Sequence, residues 1–205
     1  MNREVGLSVS RETIEKLELF QALLLKWTKK INLISPSTVE ESWSRHIVDS
    51  AQIWQVAPKN AKKWLDLGSG GGLPGVVLHI ISQELRPDLQ VTLVESDQRK
   101  SAFLRTAKRE LGNSASLEII SERIENIFDL KYDIVSARAL ADLPTLIGYA
   151  HRFLIEDGLA IFPKGRNADV ELEQAKTKWR FQSTIIPSKT DPEAKILSLK
   201  GIRRA

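Results

Sequence analysis

The fold of this chain is decided by the stretch Lys63-Trp64-Leu65-Asp66-Leu67-Gly68-Ser69-Gly70-Gly71-Gly72-Leu73-Pro74-Gly75-Val76-Val77-Leu78. Its first five residues are mostly apolar and predict a strand that is buried on both faces. Pro74 suits the first turn of a following helix. The glycines between them permit positive φ and a close approach of the backbone to a bound molecule. Ligands of open α/β sheets bind beyond the carboxyl ends of the strands, so we expect a nucleotide-like cofactor at Gly68–Gly75.

The composition limits which classes of protein and which kinds of site are possible. The chain has 205 residues, of which 42% are hydrophobic, enough for one α/β domain with a small appendage. It has no cysteine and three scattered histidines, so we expect no disulfide, no thiolate chemistry and no metal site. The pI of about 9.3 is compatible with a polyanionic partner but does not demonstrate one.

The first residues of the chain are charged and predict no targeting or membrane segment. Their longest apolar run, Leu23-Leu24-Leu25, is far shorter than a signal sequence or a membrane span. The sequence therefore predicts a cytoplasmic protein that does not contact a membrane.

Periodic apolar residues predict two helices before the glycine stretch. The first covers residues 10–31 with Ser10 as its cap, and the second begins at Pro36 or Ser37 and ends before Pro58. We expect residues 1–60 to form a helical cap and residues 61–205 to form a Rossmann-like domain, the two making one structural unit.

After the glycine stretch, strands and helices alternate, which predicts an α/β fold with a mostly parallel sheet of seven strands and an antiparallel last strand. The further strands are expected at 90–95, 117–120, 132–136, 158–162, 183–186 and 195–199, and the further helices at 98–111, 123–128, 142–154 and 167–179.

The glycine pattern Gly70-x-Gly72-x-x-Gly75 fits two kinds of adenosyl cofactor. Asp66 before the loop and Glu95 after the second strand are carboxylates, and Glu95 could accept both ribose hydroxyls. Carboxylates near the loop favour S-adenosylmethionine, whose sulfonium and amino group are positive. A nicotinamide dinucleotide stays an alternative, as does a tight turn in which Asp66 bonds only backbone amides.

Four segments resemble the ribosomal RNA small subunit methyltransferase G family, also called glucose-inhibited division protein B. They are Asp66–Gly75, Arg45-His46-Ile47-Val48-Asp49-Ser50, Ser136-Ala137-Arg138-Ala139 and Pro163-Lys164-Gly165. The resemblance covers nearly the whole chain. It implies a class I S-adenosylmethionine-dependent methyltransferase that acts on N7 of guanine 527 in 16S rRNA.

The resemblance also implies the site residues and the partner. Cofactor contacts fall on Gly68, Leu73, Ile124, Glu125 and Arg138, beside Gly70 of the loop and Glu95 as the ribose acceptor. The predicted catalytic group is Arg138, His46 and Lys164, and the predicted RNA contacts are Arg45, Lys100 and Arg105. The partner implied is 16S rRNA within the small ribosomal subunit or an assembly intermediate, bound by a monomer.

The target atom needs no general base, because guanine N7 already presents a lone pair. Catalysis then depends on alignment of the reacting atoms. Three alternatives stay open on the sequence alone: a methyltransferase of the same fold with a small-molecule substrate, an NAD-dependent oxidoreductase, and a non-catalytic RNA-binding protein.

Overall fold

The computed structural model describes residues 4–205, and within that range seven strands form one sheet. The strands are β1 Lys63–Leu67, β2 Gln90–Val94, β3 Leu117–Ile120, β4 Tyr132–Ala137, β5 Leu154–Lys164, β6 Trp179–Pro187 and β7 Lys195–Arg204. Their order is β3-β2-β1-β4-β5-β7-β6. Strands β1 to β5 are parallel, and β7 runs antiparallel to both of its neighbours. The predicted fold class is confirmed.

The helices cover both faces of this sheet. They are α1 Arg11–Thr28, α2 Asp49–Ala51, α3 Gly75–Leu85, α4 Gln98–Glu110, α5 Leu143–Phe153 and α6 Ala168–Lys176. The prediction of helix up to Trp179 is wrong, since Trp179 begins β6. It pairs there with Arg204, and its buried ring lies 5.3 Å from the ring of His151.

The N-terminal segment is helical, but its second helix is not continuous. The predicted cap of α1 is confirmed, because Ser10 Oγ accepts from the Thr13 amide at 3.3 Å. The continuous helix expected from Pro36 or Ser37 is wrong. It is divided into a 3-10 turn Pro36–Thr38, a π-helix Trp43–Val48, α2 and a 3-10 helix Gln52–Val56.

The serine caps predicted for the second helix do not form. Ser35 Oγ and Ser37 Oγ bond each other at 2.9 Å, and neither caps a helix. The chain therefore turns after Thr38 before it becomes helical again at Trp43.

Helix α1 packs behind the glycine loop. Phe20 and Trp27 contact Phe103 of α4, with ring centroids 6.3 and 5.7 Å apart. A side chain on Gly71 would meet Leu24, and one on Gly72 would meet Phe20. The loop is thus pressed between α1 and the sheet. The boundary at residue 60 stays a prediction.

A buried carboxylate joins β1, β4 and α3. Asp66 is fully buried; its Oδ1 accepts from Ser136 Oγ at 2.7 Å and its Oδ2 accepts from the Gly75 amide at 3.2 Å. Trp64 Nε1 donates to the same Ser136 oxygen at 2.9 Å. Because the first amides of a helix lack partners within the helix, Asp66 fixes where α3 begins against the sheet.

We predict that Gly75→Ala destabilises the fold. A Cβ there would overlap Leu93 Cδ2 and come within 2.8 Å of Asp66 Oδ2. Overpacking of this kind costs about 1–3 kcal/mol. Urea unfolding should show that loss for Gly75→Ala and little change for Gly165→Ala, where a Cβ meets nothing within 4 Å. Equal stability of the two variants would contradict the packing described.

Candidate functional site

The predicted cofactor loop lies at the carboxyl ends of β1 and β2. Gly68 and Gly70 have φ of +63° and +50°, conformations that side chains with a Cβ rarely adopt. A Cβ on Gly70 would approach no atom closer than Gly68 O at 3.7 Å and Glu95 Oε2 at 4.0 Å. The loop therefore leaves open space beside the Glu95 carboxylate.

Glu95 is bonded to the backbone around this space. Its Oε2 accepts from the Gly70 amide at 2.9 Å and its Oε1 accepts from the Asp97 amide at 2.7 Å. Each carboxylate oxygen has a second lone pair, so two hydroxyls can still be accepted. The loop and Glu95 together fit an adenosyl ligand, and the contact of each residue with that ligand stays a prediction.

Asp66 has a structural role. Burial raises its pKa to about 6, although bonds from Ser136, Ser69 and Gly75 act in the opposite direction. Both of its oxygens are occupied within the fold. This matches the sequence alternative in which Asp66 bonds backbone amides, and it weakens the argument that Asp66 selects a positive ligand.

The predicted contacts after β3 are held in place by α5. Leu73 and Ile124 are buried, whereas Glu125 is exposed and its Oε1 accepts from Tyr149 Oη at 2.6 Å. The Arg152 guanidinium donates to the carbonyls of Ile124 and Glu125 at 3.3 and 3.2 Å, and also to that of Ile127. The segment after β3 is thereby fixed beside the glycine loop.

Arg138 connects the end of β4 to the N-terminal cap. Its Nη2 donates to the Arg45 carbonyl at 2.9 Å and to His46 Nδ1 at 3.1 Å. Its Nε lies 3.5 Å from Asp49 Oδ2. Burial lowers the pKa of Arg138, but a guanidinium remains charged at neutral pH.

The contacts of His46 define its tautomer. Arg138 has only donors, so His46 Nδ1 accepts. Thr38 Oγ1 donates to the Ser35 carbonyl at 2.8 Å, so at its 2.8 Å contact with His46 Nε2 it accepts. Burial and the nearby Arg138 and Arg45 charges lower the pKa of His46 to about 4. His46 is therefore neutral at pH 7, with both nitrogens occupied.

Lys164 joins two segments of the chain in this structure. Its Nζ pairs with Glu171 Oε2 at 2.7 Å and donates to the Ala141 carbonyl at 3.0 Å. The same Glu171 oxygen accepts from the Leu143 amide at 2.7 Å. Lys164 thus holds the loop after β4 against α6. Its predicted catalytic role stays a prediction.

The three predicted RNA contacts do not lie together. Arg45 pairs with Asp191 at 2.8 Å next to Arg138, and Lys100 lies in the first turn of α4 near Glu95. Arg105 is further along α4, against the first residues of β2 and β3. Arg105 does not lie at the carboxyl edge of the sheet, because α4 runs back toward the amino edge, and its contact with RNA stays a prediction.

A cavity of about 260 Å³ opens beside Arg138, beyond the carboxyl ends of β4 and β5. Three ion pairs contribute to its wall: Arg45 with Asp191, Arg138 with Asp49, and Lys164 with Glu171. Ala139 and Pro163 supply apolar surface. The segment between β6 and β7 also lines the cavity, through Ser188, Thr190 and Asp191.

Sequence reasoning did not assign roles to Asp49 or Asp191. Asp49 follows His46 by three residues, a helical spacing that is more typical of a surface ion network with Arg45 and His46 than of a catalytic group. Asp191 had no such signal, because its partner Arg45 is 146 positions away in the chain.

Residues 4–205 contain neither a cluster of metal ligands nor a membrane-spanning helix. No three metal-binding side chains gather there. No helix in the same range is long and apolar enough to cross a membrane.

The sequence is similar to one known family over most of its length. Residues 13–197 match the family GidB, described as rRNA small subunit methyltransferase G. A relative of that name from Ruegeria sp. (strain TM1040) is 50% identical over 97% of this chain and 95% of its own. Another, from Methylobacterium nodulans, is 44% identical over 95% and 92%.

Solved structures share the fold at low sequence identity. The plantazolicin methyltransferase BpumL in complex with SAH has a TM-score of 0.60 and 15% identity, covering 93% of this chain and 98% of that one. A ribosomal protein L11 methylase from Lactobacillus delbrueckii has a TM-score of 0.59 and 18% identity, covering 78% of each chain. The architecture is therefore that of known methyltransferases.

We predict a pH-dependent stability contribution from Asp66. Its folded pKa of about 6 exceeds the ordinary value of 3.8, so the folded state binds the proton more tightly. The contribution of Asp66 to the unfolding free energy is fully present below about pH 4 and is lost as the pH rises through 6. The difference in unfolding free energy between wild type and Asp66→Asn should fall by about 1–3 kcal/mol between those limits.

Urea unfolding at several pH values measures this difference, and other titrating groups cancel in the comparison. A difference that is constant with pH, or that grows as the pH rises, would show that Asp66 does not titrate in this way.

Proposed function

Because the chain belongs to the rRNA small subunit methyltransferase G family, we propose that it methylates N7 of guanine 527 in 16S rRNA, within the small ribosomal subunit or an assembly intermediate. The methyl donor is S-adenosylmethionine. The observation that carries the proposal is the placement of two features at adjacent strand ends: the open glycine loop follows β1, and Arg138, which lines the polar cavity, follows the neighbouring strand β4. A monomer in the cytoplasm remains our expectation.

The residues around the glycine loop would hold the cofactor. Gly70 leaves room for it, and Gly68 supplies the positive φ of the loop. Glu95 would accept its ribose hydroxyls, and Leu73, Ile124 and Glu125 would line its adenosyl part. When bound, the cofactor supplies a methyl group on a positive sulfonium, which a neutral nitrogen lone pair can attack.

The chain's own contribution is alignment. N7 of guanine carries no proton, so the transfer requires no base. The state of His46 agrees with this, because its lowered pKa leaves it neutral and its two nitrogens are bonded to Arg138 and Thr38. Holding the reacting atoms in line can supply about 7–11 kcal/mol of the barrier. His46 would position Arg138, and Arg138 would face the substrate.

One experiment tests the proposal directly. The protein is incubated with labelled S-adenosylmethionine and small subunits from a strain lacking the enzyme, and the methylated base is mapped. We expect label on N7 of guanine 527. Turnover without RNA would instead favour a small-molecule substrate, and binding of NAD would favour an oxidoreductase.

We predict that Gly70→Val weakens S-adenosylmethionine binding at least about 10-fold, equivalent to about 1.4 kcal/mol. The valine side chain would fill the open space beside Glu95. Gly201→Val is the matched control, since Gly201 has φ of +60° and a Cβ there meets nothing within 4 Å. Calorimetry on the folded variants measures both affinities. Undiminished affinity in Gly70→Val would remove the loop from the cofactor site.

We predict that single-turnover methyl transfer is nearly flat between about pH 6 and 8. His46→Gln should lower the rate, because Arg138 loses an acceptor, without adding or removing a pH limb. Single turnovers are needed because product release can mask the chemical step. A wild-type limb that disappears in His46→Gln would mean that His46 moves a proton, and the target atom would then not be N7.

A further inference from the structure

Asp49 stands at a junction of three segments around the cavity. Its side chain is 13% exposed. Its Oδ1 accepts from Gln52 Nε2 at 2.8 Å and from Thr190 Oγ1 at 2.7 Å, so both lone pairs of that oxygen are used. The side chain is therefore held by one oxygen, and its orientation is fixed by the cap and by the segment between β6 and β7.

The second oxygen of Asp49 is less engaged. Its Oδ2 lies 3.5 Å from Arg138 Nε, longer than an ordinary hydrogen bond. Within the part of the chain that the structure describes, Oδ2 has no other donor and Arg138 Nη1 has no acceptor. Asp49 Oδ2 can therefore accept a further hydrogen bond, and Arg138 Nη1 can donate one. Both side chains line the cavity.

This pair matches one edge of guanine. Guanine presents, in order, the acceptors N7 and O6 and then the donors N1–H and N2–H₂. Arg138 suits O6, and Asp49 suits the adjacent N1–H and N2–H₂. Adenine reverses this pattern, since it has an amino group in place of O6 and a lone pair at N1. Both contacts would then be lost, leaving buried polar groups unpaired.

The order of the side chains is also right for methylation at N7. Arg138 follows β4 and the glycine loop follows the adjacent strand β1, so the two are neighbours at one edge of the sheet, while Arg138 Nε faces Asp49 of the cap. A guanine with N1 at Asp49 and O6 at Arg138 therefore turns N7 toward the cofactor side. Enzymes that modify a base take it out of the stack into such a pocket.

We infer that the cavity receives the target guanine, extruded from the RNA, and that Asp49 is the residue that selects guanine by accepting from N1–H and N2–H₂. This inference rests on the proposed function. It adds a specificity-determining residue, held in place by Thr190 and Gln52, which lie in different parts of the chain.

Inosine gives a direct test, because it lacks only the N2 amino group. Small subunits are reconstituted with guanine or inosine at the target position, and kcat/KM and Kd are measured for both. We expect wild type to prefer guanine about 10- to 100-fold, the range for a hydrogen bond to a charged group. If wild type has the same kcat/KM and the same Kd for guanine and inosine, the inference is overturned and no variant is needed.

Asp49→Asn then identifies the residue responsible. The amide oxygen can keep the bonds from Gln52 and Thr190, and the amino group replaces Oδ2 with a donor. We expect a guanine rate lowered about 10- to 100-fold and a preference over inosine reduced to within about 3-fold. Asp88→Asn, which changes an exposed carboxylate paired with Lys62, should keep the wild-type preference.

The outcomes separate the two claims. An unchanged guanine preference in Asp49→Asn would overturn the assignment of Asp49, even if the target is methylated normally. Absence of methylation of the guanine substrate by wild type would count against the proposed function. The Kd values for guanine and inosine would then still test the pocket.

Discussion

The buried carboxylate of Asp66 is the interaction on which the site depends. It accepts one hydrogen bond from the start of α3 and one from Ser136 in β4, and Ser136 in turn is bonded by Trp64. The glycine loop begins and ends at these anchored points, so its shape follows from them. Burial of the carboxylate raises its pKa, which means that its ionised form is held at a cost in stability.

A second anchored group, Arg138, links this core to the rest of the site. Arg138 lies one residue after β4, and its guanidinium is held by Arg45 and His46 of the π-helix and by Asp49 at the start of α2. Wide helical turns of this kind often occur at functional sites. Here the π-helix directs the Arg45 carbonyl and His46 Nδ1 toward the Arg138 guanidinium. These two bonds fix Arg138 between the cofactor loop and the cavity.

The strands and the glycine loop could be predicted because their signals are local. Buried apolar runs and clustered glycines identify β1, β2 and the turn between strand and helix from neighbouring residues alone. The broken second helix could not be predicted, since apolar periodicity does not reveal side-chain contacts such as those between Ser35 and Ser37 and between Thr38 and His46.

Charged residues were the least predictable part of the site. Lys164 is predicted to be catalytic from its motif, and that role stays a prediction; its ion pair with Glu171 could not be predicted. Arg105 and Lys100 share a helix and a charge, yet they lie toward opposite edges of the sheet. Asp66 looked like a ligand for a positive cofactor until Ser136, 70 residues away, was seen to bond it. The partner of Asp66 is distant in sequence, whereas Lys164 and Glu171 are close in sequence but lie on different elements, β5 and α6.

We propose that the glycine loop and the cavity face each other across Arg138. The most direct measurement is a crystal structure of the protein with S-adenosylhomocysteine. We predict ribose hydroxyls within hydrogen-bond distance of Glu95 and a sulfur that points toward the cavity beside Arg138 and Asp49. A ligand bound elsewhere, or one whose sulfur points away from that cavity, would contradict the account.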